Sequence, residues 1–398
     1  MKILILSPKL PYPPKDGGSV ATLNIATGLS DCGNEITLLC LNTVKHFFPE
    51  DKIPSALSAK IRFFTAFHDT SPNKVSAFLN LLFSRKPYIA VRFVSSAFRK
   101  KLTKLLDKEQ FDIIHLEGPY LYDYFKIIRK HSNALLSFRA QNVESEIWKG
   151  ISKNTRSLLK KLYIRNLSYR IQRLEKKVIR DSDLFVPISP SDCQTFLSFR
   201  KNIPYLVNPT GFYISDTGKN KVKYNYSLFF LGALDWKPNQ EGLLWFIHHV
   251  WAASSFNTEF HVAGRQAPEW LKRKLRNVKG LVFHGEIENS IDFINESGIM
   301  VCPIFTGSGI RIKMLEAMMM GKTILSTSKG AEGIPVTDGI HCFLCDTPND
   351  FIQKIKLLEK HPEYEIKIGS NAKRFVMENF NNLALCKDLS DFYRKNLK

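Results

Sequence analysis

The stretch from Phe305 to Ser326, FTGSGIRIKMLEAMMMGKTILS, sets an arginine, a lysine and a glutamate beside a glycine-rich turn. Gly307-Ser308-Gly309 reads as a helix start with Ser308 as a candidate N-cap. Arg311 and Lys313 then fall in or near the first turn, where the helix dipole disfavours cations unless an anion is bound. Backbone N–H groups of the turn together with these two cations would clamp a phosphate. Glu316, about a turn further on, is suited to accept hydrogen bonds from sugar hydroxyls. It could equally pair with Lys313 or Lys322 on the surface. Ile312, Leu315 and Met319 share a face at helical spacing, with Met318 nearby, and that face reads as core.

Other polar groups stand where apolar runs end. Lys15-Asp16-Gly17-Gly18-Ser19 follows the first run, and its paired glycines would let backbone approach a ligand closely. The segment is neither a GxGxxG fingerprint nor a GxxxxGK[ST] loop, so it gives no support to a generic dinucleotide or P-loop assignment. In DIIHLEGP the period of two puts His115 and Glu117 on one side of a strand. Arg139 to Glu146, RAQNVESE, follows the ALLSF run and contains Asn142, while Arg265 directly follows EFHVAG. In open parallel sheets, ligands bind at the carboxyl ends of strands, beside helix N-termini and glycine-rich loops. Convergence of such groups would suit an anionic, hydroxyl-bearing substrate.

The elements needed to position these groups alternate in the manner of βαβ units. Ile3 to Ser7, Glu35 to Leu41, Asp112 to Leu116, Ala134 to Phe138 and Leu184 to Ile188 read as buried strands, with a helix over Val20 to Leu29. A polar stretch from Asn208 to Tyr226 reads as a domain linker, after which SLFFLGAL, EFHVAG, LVFHG, IMVCPIF and TILST restart the alternation. The expected fold is therefore α/β, with two Rossmann-like domains of parallel sheet. Their expected bounds are 1–207 and 208–380, followed by a helix over 381–398 that docks back on the first domain. Two segments interrupt the rhythm. Ile61 to Leu106 is aromatic and basic and reads as an insertion, and Ile151 to Arg180 reads as one long basic helix with a stripe from Leu158 to Val178. An amphipathic surface resting on anionic lipid is one reading of these; a solvated charged face on a packed helix is the other.

The chain has 398 residues, a formal charge of +20 and seven scattered cysteines. The charge favours an anionic partner without choosing among nucleic acid, membrane and phosphorylated small molecules. No zinc finger, helix-turn-helix or aromatic single-strand platform supports nucleic acid, so none is expected. Only Cys342 and Cys345 lie close, without a second pair to complete a zinc site. The amino terminus suits a strand better than a signal peptide, and no apolar run is long enough to span a membrane. The reading is a cytoplasmic protein with reduced thiols, and with attachment to the inner face of the cell membrane as a candidate.

Taken in order, PYPPKDGG, FRAQNVESEIW, FLGALDWKPNQEGLLWF, HVAGR and GSGIRIKMLEAMMMGKTILSTSKGAEGI resemble the signature of retaining glycosyltransferases of the GT-B fold, family 4, also called group 1. The resemblance covers nearly the whole chain. It implies two facing Rossmann-like domains, a carboxyl-terminal helix that crosses back, and a nucleoside diphosphate sugar as donor, without a cofactor or bound metal. It implies that Gly17 and Gly18 approach the donor diphosphate and that Glu316 holds the ribose hydroxyls. Arg265, Arg311 and Lys313 would lie near the diphosphate, with Ser308, Gly309 and Ile310 in the same donor loop. His115, Glu117 and Asn142 become candidates to orient sugar and acceptor, the acceptor being a saccharide or a lipid-linked molecule. The departures from the pattern are specific. Ser308 stands where many members have a first glutamate, Ala233 and Asn239 replace a cationic pair, and Glu117 and Gln141 replace histidines. A degenerate nucleotide-sugar-binding protein and a GT-B-type sugar-nucleotide epimerase are the alternatives.

Overall fold

A computed structural model describes residues 1–213, 226–307 and 309–397. The chain divides into two compact units, Met1–Tyr213 with Asn382–Lys398, and Ile214–Asn381. Most of the linker expected over 208–226 lies outside the described residues.

The first unit holds six strands: β1 Lys2–Ser7, β2 Glu35–Thr43, β3 Ile61–His68, β4 Ile113–Glu117, β5 Leu135–Ala140 and β6 Leu184–Pro187. They pair in parallel in the order β3-β2-β1-β4-β5-β6. That order reverses direction between β1 and β4, the point at which doubly wound sheets bind ligands. Both faces of the sheet are covered, which is why its strands read as nearly continuous apolar runs. Ile3 and Ile5 of β1 pack into one buried cluster, and Leu4 and Leu6 into another.

The helices of this unit that bear on the site are α1 Gly17–Asp31, α2 Lys74–Phe83, α3 Ser96–Lys108, α4 Glu144–Lys153 and α5 Leu158–Asp181. α1 begins earlier than the apolar spacing predicts. Asp16 is its N-cap and accepts from the Ser19 N–H, so Gly17 and Gly18 form its first turn rather than a free loop. The segment 61–106 is not an insertion throughout. RFFTAFH is the edge strand β3, and α3 turns Phe98, Leu102, Leu105 and Leu106 into the core. The long helix expected over 151–180 is two helices, α4 and α5, broken after Lys153. Only the later part of its stripe is buried: Leu167, Ile171, Leu174 and Val178 pack inward, whereas Leu158 and Leu162 are exposed.

The second unit repeats the arrangement with β7 Leu228–Leu231, β8 Phe260–Ala263, β9 Leu281–Gly285, β10 Ile299–Cys302, β11 Ile324–Ser326 and β12 Phe343–Leu344. Their order is β12-β11-β10-β7-β8-β9, again parallel with a reversal at the first strand of the unit. α6 Ile312–Met319 follows β10. It starts later than the Gly-Ser-Gly signal suggests, because Gly307 and Gly309 hold φ of 115° and 79°, outside helical backbone. Its N-cap residue is Arg311, which makes no side-chain cap bond, and Ser308 lies outside the described residues. The buried side carries Ile312, Met314, Leu315 and Met318, while Met319 is only half-buried.

The last helix, α7 Asn382–Asn396, belongs to the first unit and packs on α1. The two helices approach closely because α1 has Gly28 at the contact. A Cβ there would lie 2.6 Å from Asn382 Nδ2 and closer still to Cys386 Sγ. Asn382 Nδ2 donates to Asn24 O at 2.8 Å, and Asn34 Nδ2 lies 3.1 Å from Ser390 Oγ. Gly28→Val is expected to lower the stability of the protein in urea by about 1–3 kcal/mol through overpacking. An unchanged urea midpoint would contradict this account of the contact.

Candidate functional site

The polar groups of the first unit collect at the carboxyl ends of β1, β4 and β5. Parallel register sets His115 beside Ser137 and Glu117 beside Arg139, and all four lie on the same sheet face as the Ile3/Ile5 cluster. Each of these four side chains is buried. Such burial is tolerable because the groups bond one another, with Arg139 Nε left as the buried atom of the four side chains that has no hydrogen-bond partner. Gln141 Nε2 donates to Glu117 Oε2 at 2.5 Å, and Arg139 Nη1 donates to the same carboxylate at 3.3–3.4 Å. His115 Nε2 is 3.2 Å from Glu117 Oε1. A carboxylate only accepts, so this nitrogen carries the proton. His115 Nδ1 then accepts from the Tyr393 hydroxyl at 2.6 Å, and Ser137 Oγ stands 2.9 Å from that hydroxyl. Burial opposes the charge on Glu117, but Arg139, His115 and Gln141 together hold its carboxyl well below the usual range.

Above this network is an open cavity. Its wall includes Ser7, Lys9, Gly18, Glu117, Tyr120, Gln141, Asn142 and Glu144. Gly18 gives it width, since a Cβ there would lie 3.0 Å from Gln141 Oε1. Lys9 is ion-paired with Asp16, the N-cap of α1, which brings a cation to the helix end where the two glycines sit. On the far wall Tyr120 donates to Glu144 Oε2 at 2.8 Å. Burial raises the Glu144 carboxyl above its ordinary value. The first turn of α4 is held from below by α5, where Glu175 Oε1 accepts from the Ser145 N–H at 3.3 Å.

In the second unit the predicted donor residues lie on two strand-to-helix connections. Arg265 follows β8, and its carbonyl accepts from Leu234 N at 2.9 Å. Asn239 Nδ2 donates to Ala233 O at 2.9 Å, so the positions of the missing cationic pair are occupied by a loop-closing bond. Arg311 Nη1 donates to Gly309 O at 3.0 Å. Lys313 Nζ donates to Glu316 Oε2 at 2.7 Å and lies 3.2 Å from Ser290 Oγ. Of the two surface partners weighed for Glu316, Lys313 is therefore the one engaged. Lys322 is buried and donates to Asn295 O and Ser297 O. Ile310 is buried, and only its backbone is suited to meet a ligand.

The structure thus brings His115, Glu117, Gly18 and Asn142 to one region, and Arg311, Lys313 and Glu316 to another. The sequence reading left Arg139, Lys9, Tyr120, Glu144 and Tyr393 without roles. Arg139 had a local signal, since it stands at the end of a strand whose neighbour ends in Glu117. Tyr393 had none, because it reaches the site from the far end of the chain.

Burial also raises Glu175 to about 8. A carboxyl in the unfolded chain ionises near 4.3. Between those values the fold retains a proton that the unfolded chain has lost, so the stability this residue confers is full below about 4.3 and is lost as pH rises through about 8. Glu175→Gln is expected to match the parent in thermal unfolding at pH 4.5 and to exceed it by roughly 4 °C or more at pH 8.5. A gap that stays constant across this range would show that the carboxyl is ionised in the fold.

Comparison with known proteins places these features. Residues 225–361 match the family described as Glycosyl transferases group 1. Over its length the chain is 22% identical to an uncharacterized 44.6 kDa protein in the cps region of Klebsiella pneumoniae, covering 96% of this chain and 97% of that one. Sucrose-phosphate synthase from Thermosynechococcus elongatus superposes with a TM-score of 0.72 at 15% identity, covering 100% of this chain and 99% of that one. The Anabaena protein HepE, solved in complex with UDP, superposes with a TM-score of 0.66 at 14% identity, covering 99% and 100%. At these identities the solved structures establish the fold, and the group 1 match supplies the class of domain it carries. The chain has the GT-B arrangement of two parallel-sheet units, and the part of its second unit over residues 225–361 matches the family Glycosyl transferases group 1.

Proposed function

We propose that this glycosyltransferase moves a sugar from a nucleoside diphosphate sugar to a hydroxyl of a saccharide or lipid-linked acceptor, with retention at the anomeric carbon. The reading extends to polysaccharide, lipopolysaccharide or glycolipid synthesis. The observation that carries it is the pairing of two chemistries in one chain: a group 1 domain bearing Arg311, Lys313 and Glu316, and a polar cavity at the strand ends of the first unit. HepE, which shares the fold, has also been solved with UDP-glucose.

In this reading Glu316 exchanges its bond from Lys313 for the two ribose hydroxyls, which frees the Lys313 ammonium for the diphosphate. Arg265, Arg311, and backbone N–H groups at Gly309, Ile310, Gly17 and Gly18 add to the field that stabilises the departing phosphate. Ser308, beside Gly309 in the sequence, is assigned to the donor as well. The acceptor oxygen attacks from the face the diphosphate leaves. The anomeric C–O bond to phosphate breaks, a new C–O bond forms, and the acceptor proton passes to a phosphate oxygen. His115, Glu117 and Asn142 orient sugar and acceptor, and His115 acts through Glu117 because it lies beneath it in the network. Among the described residues no helix is long and apolar enough to cross a membrane. Work at the inner face of the cell membrane would accordingly rest on peripheral attachment.

Screening UDP-, GDP-, ADP- and CMP-sugars for binding and slow hydrolysis tests the proposal. One nucleotide class is expected to bind and turn over, and Glu316→Ala is expected to weaken that binding at least tenfold. Failure of every nucleotide sugar to bind would overturn the reading, and unchanged affinity in Glu316→Ala would remove the ribose role.

A further inference from the structure

α2 has its amphipathicity inverted. Val75, Phe78, Leu79, Leu82 and Phe83 recur at the spacing of one helical face, the pattern that ordinarily marks the side turned to a core. Here that face points to solvent: all five are at least half exposed, and Phe83 is 82% exposed. The opposite side carries Ala77, Asn80 and Leu81, which are half-buried.

The helix is nevertheless fixed in place. Arg170 of α5 donates to the carbonyls of Asn80 and Leu81 at 3.1 and 2.9 Å. At the other end Asn73, the N-cap, is bonded through both its N–H and its carbonyl to the Tyr88 hydroxyl. The carboxyl-terminal part of α2 is therefore held against α5 at Arg170. Toward its own start, α5 exposes Leu158, Leu159 and Leu162. Two helices joined through Arg170 thus present eight large apolar side chains to solvent. Monomeric proteins seldom show such a surface without a partner for it.

Charge identifies the partner. Lys74, Arg85 and Lys86 flank α2, and Arg156, Lys160, Lys161 and Arg165 flank the exposed leucines; all seven are exposed. Acidic residues are sparse at these positions, with Asp123 paired to Lys86. Apolar side chains ringed by cations fit the acyl and headgroup layers of an anionic bilayer. We propose that α2 and the first two turns of α5 form a membrane-docking face that inserts Phe78, Leu82, Phe83, Leu158 and Leu159 into an anionic leaflet. This specifies the surface for the peripheral attachment proposed above, and it rests on that reading.

The test is sedimentation of the full chain with vesicles of pure phosphatidylcholine or of phosphatidylcholine and phosphatidylglycerol, alongside Phe78→Glu/Phe83→Glu and Lys160→Glu/Lys161→Glu. All four positions are exposed, so both variants are expected to keep the parent's melting temperature and nucleotide-sugar affinity. The parent is expected to bind the anionic vesicles, with each double variant weakened at least tenfold. Binding by the parent that both variants retain within twofold would overturn the surface while leaving peripheral attachment standing. No binding by the parent would overturn both. A parent dimer that Phe78→Glu/Phe83→Glu converts to monomer would assign the face to a second copy of the chain and overturn the lipid occupant.

Discussion

A charged carboxylate with almost no access to water sits where β4 ends, and the first unit is organised around keeping it charged. Glu117 is ringed by an arginine near the end of β5, a histidine two residues earlier in β4 and a glutamine just after β5. Leaving such a charge without partners would cost several kcal/mol. The pairing of β4 with β5 is therefore tied to chemistry as well as to backbone hydrogen bonds. A one-residue slip would turn Arg139 away from Glu117 and bury both uncompensated. The terminal helix is drawn into the same arrangement. Tyr393 supplies the hydroxyl that faces His115 from below, so the end of the chain completes a network begun by its fourth strand.

The two units solve different problems with the same doubly wound sheet. In the first, fixed hydrogen bonds set the positions of side chains around an open cavity. In the second, the polar residues after β10 are held by bonds that a ligand can replace. Lys313 and Glu316 neutralise each other, and Arg311 rests on a neighbouring carbonyl. Exchange of those bonds for a diphosphate and a ribose would cost less than creating new charges in an empty site. It would also couple release of a cation to capture of the sugar nucleotide.

Much of this was legible in the chain. Apolar runs marked the strands because both faces of each sheet are covered, and period two put His115 and Glu117 together because β4 is regular. Local patterns failed where tertiary packing decides the outcome. The Gly-Ser-Gly turn looked like a helix start, but left-handed glycines delay α6 to Ile312. The stripe through α5 looked uniform, yet only its later half meets the core. The outward face of α2 was invisible for a related reason: periodicity reports that a helix has an apolar side, not whether that side is covered. Tyr393 required docking information that no single segment carries.

The Glu117–Arg139 pair is the energetic centre of the polar network beneath the first unit's cavity, and a double-mutant cycle measures it directly. Urea unfolding of Glu117→Gln, Arg139→Met and the double variant separates a coupled pair from two independent side chains. Each single change is expected to cost about 3–5 kcal/mol by stranding the other partner. The double variant is expected to cost at least about 2 kcal/mol less than the sum. Costs that add to within about 0.5 kcal/mol would contradict the account.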